Sequence, residues 1–122
     1  MSKENQLMTD NREIQVTDIK GISIGHASNQ DAGTGVTVLY FPNGAKAGCD
    51  ISGGGPASRE TPLTSPLTAD NPINAIVLSG GSAYGLAASD GVMTCLEEHG
   101  IGYPTGLALV PLVCQSCIYD LG

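Results

Sequence analysis

Basic residues are scarce in this sequence: five Lys and Arg stand against 12 Asp and Glu, a formal net charge of −7. No basic stripe or cluster exists, which argues against a nucleic-acid backbone as partner. Charge of either sign is also thin, at 14% of residues, against the usual quarter or so. A chain with so few charges is expected to hide surface against more polypeptide or other subunits. Long apolar runs are missing. The longest, Leu107 to Val113, contains Pro111 and is far too short for the ~20 residues a bilayer requires. No apolar segment follows the early basic residues, so no secretory signal is expected. A cytoplasmic, reduced protein without a membrane partner follows. Tryptophan is absent, and the aromatic residues are Tyr40, Phe41, Tyr84, Tyr103 and Tyr119.

Glycine, by contrast, is plentiful. The 17 glycines among 122 residues are about twice the usual ~7% share. They sit in discrete clusters, which points to turns of special geometry. The length suits one domain able to bury a single core.

Residues 1–14 are polar and aperiodic and read as a flexible tail. Ile22 to Ile24 alternates and predicts a short strand ending at Gly25-His26. Val36 to Phe41 is β-branched and aromatic, a strand. Pro42-Asn43-Gly44 follows, and Asn-Gly is the strongest short hairpin signal, so residues 36–51 read as a hairpin. Ser52-Gly-Gly-Gly-Pro56 breaks it, and residues 57–72 form a long irregular connection. Ala75 to Ser79 has the composition of a buried strand. Gly80-Gly81 leads straight into a helix with Ser82 as the candidate N-cap. The face Gly85, Ala88, Ser89, Val92 and Leu96 consists mostly of small residues suited to close packing on a sheet. Gly100 is placed to end that helix, with Ile101 making the accompanying hydrophobic contact. A last strand is expected from Leu107 to about Ile118. The pattern is α/β (α+β): a mixed sheet with a packed helix. With no closing helix after that strand, the sequence reads as unfinished.

Several residues invite functional readings. Strand, Gly80-Gly81-Ser82, helix is a partial nucleophile elbow, but Tyr84 stands where the full G-x-S-x-G pattern has glycine. The one later histidine, His99, lies at the far end of the predicted helix. A rise of ~18 Å between positions 87 and 99 separates it from Ser82. Ser82 is therefore read as cap and pocket wall. Gly80 and Gly81 can aim backbone N–H groups at an oxyanion, carboxylate or phosphate. No Lys-Ser/Thr follows Gly85 and no G-x-G-x-x-G occurs, which disfavours nucleotides. Gly53-Gly54-Gly55 is either a second close approach to ligand or a flexible turn. Arg59-Glu60 suits a surface ion pair better than an anion clamp. His26 has no paired nucleophile in the sequence pattern. Cys114-Gln-Ser-Cys117 has redox or metal spacing but no second ligand pair, so it reads as part of a buried strand. No cofactor and no metal is expected.

The strings "TDIKGISIGHAS", "GTGVTVLYFPNGAKAGCDISGGGPASRET", "NAIVLSGGSAYGLAASDGVMTCLEEHGIGYPTG" and "VPLV" occur in one order. In that order the chain, from about Val16 to Gly122, resembles the DmpA-like aminopeptidase family. That family comprises L-aminopeptidase/D-esterases, β-peptidyl aminopeptidases and 6-aminohexanoate-oligomer hydrolases. The resemblance implies the N-terminal part of an αββα sandwich of the N-terminal-nucleophile type, with residues 15–122 as an incomplete hydrolase domain. It implies self-cleavage that frees a Ser or Thr nucleophile, which lies beyond this sequence, so no catalytic residue is assigned here. In the aminopeptidase branch a Glu holds the substrate amine and a Tyr supports the oxyanion; by position these fall near Gln115 and Cys117. The substrate-binding candidates are Gly80, Gly81, Ser82, Tyr84, Gln115 and Cys117. The implied partners are a small peptide or amide substrate and the remaining C-terminal portion or β chain, within a homo-oligomer. The alternatives are an inactive fragment that only oligomerises and a small-molecule binding domain.

Overall fold

The computed structural model describes residues 12–122. Of the expected tail, residues 1–11 lie outside the described residues, and 12–14 are exposed coil. Five strands form one sheet: β1 (Ser23–Asn29), β2 (Thr34–Ala45), β3 (Ala57–Arg59), β4 (Ile73–Ser79) and β7 (Val113–Cys117). Their order is β1-β2-β4-β7-β3. β4 and β7 run parallel, and every other neighbouring pair is antiparallel. Parallel neighbours need a crossover, here supplied by α1 (Ala88–Glu98). The mixed sheet with one packed helix is the expected architecture.

Period-two alternation sorts the side chains. Ala75 and Val77 of β4 and Val113 of β7 meet Leu96, Val92 and Met93 of α1, with Val36, Val38 and Tyr40 of β2 alongside. On the opposite face Leu39, Ile76 and Cys114 pack with Phe41 and Ile73. No α-helix covers that face among the described residues; the short 3₁₀ helix Thr61–Thr64 packs near Cys114, and Leu78 is 47% exposed. The helix ends as its sequence demands. The Gly100 N–H donates to Glu97 O and the Ile101 N–H to Leu96 O, both at 2.9 Å, the paired bonds of a Schellman motif.

Three expectations are corrected. Residues 36–51 form no hairpin. β2 continues through Pro42-Asn43-Gly44, where its register on β4 shifts between Tyr40 and Ala45. Gly44 has φ of 70° and is so close to Pro72 that a Cβ would lie 2.7 Å from the proline's Cβ. It therefore serves a bulge pressed against the entry to β4, and continued pairing with β4 outweighs the local turn preference. The reversal in this region lies instead between β1 and β2, at residues 30–33, where Asn29 Oδ1 accepts the Ala32 N–H.

The predicted strand from Leu107 to Ile118 is divided. β6 (Leu109–Val110) pairs with β5 (Tyr103–Pro104) in a separate ribbon, and β7 starts at Val113. Pro111, lacking an N–H, sits between them. Ser82 does not cap a helix through its side chain. Residues Ser82–Ala87 form a 3₁₀ segment with Gly81 at its cap position, and the α-helix begins at Ala88.

Candidate functional site

The sharpest local geometry lies where β4 ends. Gly81 has φ of 88° and Ser82 φ of 53°, two successive left-handed residues. The second is uncommon for a side-chain-bearing residue. A Cβ on Gly85 would fall 1.8 Å from Gly80 O, so the 3₁₀ segment can close on the turn only with glycine there. The spacing Gly80-Gly81-Ser82-Ala83-Tyr84-Gly85 is thus a packing requirement.

The N–H groups of the turn do not face outward, contrary to expectation. Gly80 N–H donates to Gly35 O at 3.0 Å and Ser82 N–H to Ile118 O at 2.9 Å. Gly81 N–H donates to Asp120 Oδ1 at 2.6 Å. The Thr34 hydroxyl donates to the other oxygen of that carboxylate, also at 2.6 Å. The anion that the turn was expected to favour is this chain's own Asp120. The hydrogen bond from Thr34, and after it the one from the Gly81 N–H, hold the Asp120 carboxyl below the usual range. Sequence reasoning missed this residue. The signal was available in the topology: β4 and β7 are adjacent and parallel, so the segments after them, Gly80–Ser82 and Ile118–Asp120, lie side by side.

Gln115 stands under the turn, only 2% exposed. Its Nε2 donates to Ser79 Oγ at 2.8 Å and to Gly85 O at 2.7 Å. Its Oε1 accepts from the Ser89 hydroxyl. Cys117 Sγ lies 3.3 Å from Gln115 Nε2 and 3.1 Å from Ser79 Oγ. Gln115, Cys117, Ser79, Gly85 and Ser89 therefore make one hydrogen-bonded cluster linking β7, β4, the 3₁₀ segment and α1. Every buried side-chain polar atom among the described residues has a partner.

Above the cluster the surface opens. Tyr84 is 84% exposed, and Ser82 Oγ makes no hydrogen bond among the described residues. Tyr84 belongs to the outer side of the turn, and Ser82 is half-buried. Gly80, Gly81 and Tyr84 line a groove of about 470 Å³ with Ala27, Ser28 and Thr34. Of the six sequence candidates, the structure gathers Gly80, Gly81 and Tyr84 at this groove, leaves Ser82 in the same turn outside its lining, and sets Gln115 and Cys117 behind the turn through their bonds to Ser79 and Gly85.

Other singled-out residues lie elsewhere. His26 Nδ1 is 2.8 Å from Thr37 Oγ1 on the face away from α1. His99 Nδ1 is 2.7 Å from Cys95 O of its own helix. Arg59 pairs with Asp90 at 2.5 Å, tying β3 to α1. The stretch Gly53-Gly54-Gly55 is exposed. Cys114 and Cys117 point to opposite faces; burial raises the Cys114 thiol above its ordinary range. Among the described residues no three His, Cys, Asp or Glu side chains are grouped to hold a metal ion. No described helix is long and apolar enough to cross a membrane.

Comparison with known proteins adds a family to this geometry. An aminopeptidase named as uncharacterized from Mycobacterium tuberculosis is 42% identical over 114 residues, covering 87% of this chain and 33% of its own length. A similarly named protein of Mycobacterium leprae is 43% identical, with 32% of its length covered. A 6-aminohexanoate-oligomer endohydrolase of Agromyces sp. is 38% identical over 110 residues, 89% of this chain and 28% of its own. The chain thus spans about a third of the length of these relatives. The family model for peptidase family S58 matches residues 15–122, a stretch that contains the whole five-stranded sheet, α1 and the glycine turn. The chain belongs to peptidase family S58.

Proposed function

We propose that residues 15–122 are the N-terminal portion of an autoprocessing amide hydrolase of the N-terminal-nucleophile type. One observation carries this reading: the tightly packed Gly80–Gly85 turn, with Gly80, Gly81 and Tyr84 at an open groove, lies within the stretch matched by the peptidase family. In this reading the turn forms one wall of a substrate pocket. Gly80, Gly81, Ser82 and Tyr84 shape that wall, and Gln115 and Cys117 support it from behind. The nucleophile is a Ser or Thr outside these residues, freed by self-cleavage. A terminal α-amine, with pKa near ~8, then acts as the nucleophile's own base. Hydrogen-bond donors hold the tetrahedral oxyanion.

The substrate is a small peptide or linear amide; the relatives' names span aminopeptidase and 6-aminohexanoate-oligomer endohydrolase. The partner is the remaining C-terminal portion or β chain, seated on the sheet face away from α1, where Leu78 and Ile118 are exposed. This seating would complete an αββα sandwich, assembled as a homo-oligomer in the cytoplasm.

The test is to sequence past codon 122, express the complete product, and follow both self-cleavage and amide turnover. Terminal sequencing of the new chain should find Ser or Thr. Turnover of aminoacyl p-nitroanilides or 6-aminohexanoate oligomers should vanish when that residue is replaced. An immediate stop codon, or turnover indifferent to that replacement, refutes the proposal.

A further inference from the structure

We propose that Asp120 is the positioning residue of the Gly80–Ser82 turn: its carboxylate bridges the Gly81 N–H and the Thr34 hydroxyl and holds the turn in its left-handed conformation. Ser82 at φ of 53° follows Gly81 at φ of 88°, and a non-glycine residue stays in that region only where its surroundings over-determine it. Asp120 supplies the charged part of those surroundings. Its two oxygens accept from two different elements, the turn and the start of β2, each at 2.6 Å. Hydrogen bonds to an ionised acceptor are about twice as strong as neutral ones.

The fit is close. A Cβ on Gly80 would lie 1.7 Å from Asp120 Oδ2 and 2.2 Å from Thr34 Oγ1, so glycine at position 80 is what leaves room for the carboxylate. Neighbouring backbone bonds seat the segment carrying Asp120: Ile118 N–H donates to Ser79 O and Ser82 N–H to Ile118 O, both at 2.9 Å. Thr34 from β2 and the glycine turn present no charge to Asp120. His26 from β1 is the other titratable side chain lining the groove of about 630 Å³ into which Asp120 faces.

Within the proposed hydrolase, which this consequence alone presupposes, the Gly81 N–H is already taken. The turn then meets substrate through Ser82 Oγ and Tyr84, and the oxyanion donors come from elsewhere.

The experiment needs no turnover, so its outcome is independent of whether the chain belongs to a hydrolase. The 122-residue chain, labelled with ¹⁵N-glycine, is titrated from neutral to acid pH by NMR. The Gly81 amide proton should shift as the carboxylate protonates, with a midpoint below the ordinary Asp value of about 3.9. Thr34→Val should raise that midpoint, and Thr34→Ser should leave it in place. Asp120→Asn should abolish the titration, and Asp120→Ala should speed Gly81 amide exchange at least about tenfold. A Gly81 amide that does not titrate in the unaltered chain overturns the proposal. So does a midpoint indifferent to Thr34→Val, or Gly81 exchange unchanged by Asp120→Ala.

Discussion

Replacing Gly85 with alanine tests how tightly the turn is built. The new Cβ would stand 1.8 Å from Gly80 O, 2.9 Å from Gly80 C and 3.1 Å from Ser79 Oγ. The first two atoms are backbone, so no rotamer change relieves the contact. The 3₁₀ segment must move away from the end of β4 by about an ångström. That movement pulls Gly85 O from Gln115 Nε2, now 2.7 Å away, and Gly85 N from Gly81 O, now 3.1 Å away. Overpacking costs roughly 1–3 kcal/mol, and two weakened hydrogen bonds add about 1 kcal/mol each. The sum, about 3–5 kcal/mol, is a large part of the ~5–15 kcal/mol that stabilises a typical domain. The control is Gly91→Ala in α1, where a Cβ meets nothing within 4 Å. It should stabilise by roughly 0.5–1 kcal/mol through helix propensity. Thermal melts followed by circular dichroism read both. Gly85→Ala should lower Tm by more than about 10 °C or abolish the cooperative transition, at ~4–8 °C per kcal/mol for a small domain. Gly91→Ala should raise Tm slightly. A Gly85→Ala protein melting within a few degrees of the parent would refute the close-approach argument.

Further expectations follow from the same geometry. Ser89 is fully buried (0% exposed) and donates to Gln115 Oε1, so Ser89→Ala should cost about 1–3 kcal/mol by urea unfolding. In a Gln115→Leu background the same change should cost much less; equal costs in both backgrounds would show that the pair is not coupled. The 122-residue chain by itself should hydrolyse no aminoacyl p-nitroanilide. Turnover that survives purification and disappears in Ser82→Ala would revive Ser82 as a nucleophile. With Leu78 and Ile118 exposed on the open sheet face, light scattering should find a mass above the 12.4 kDa monomer. A monodisperse monomer with a cooperative melt would refute association through that face.

The elements readable in the sequence are those whose cause is local. β4 is visible in the short apolar run ending at Ser79, α1 in its small-residue stripe, and the helix end in Gly100-Ile101. Each depends on interactions within a few residues, so composition and spacing suffice. The glycine turn was legible as a feature, and its membership of a known family pattern was legible in the order of whole strings. The Asn43-Gly44 hairpin was not realised because β2 had a competing long-range option. Pairing with β4 on the far side of the bulge satisfies backbone groups that a hairpin would have turned elsewhere. A local propensity of this kind is a weak preference that a sheet context routinely overrides.

The glycine turn also marks the boundary between the two kinds of information. By itself the sequence determined that the chain makes a sharp turn between a buried strand and a close-packed helix, because Gly80, Gly81 and Gly85 permit conformations and approaches that other residues resist. What the turn binds was decided by tertiary structure alone. Asp120 lies 39 residues from Gly81 and 86 from Thr34, separations that no local pattern reports. Gln115 likewise reaches Gly85 across 30 residues. Only the parallel pairing of β4 with β7 brings the ends of those strands together. It is this pairing that places a carboxylate against the turn's N–H and an amide beneath it.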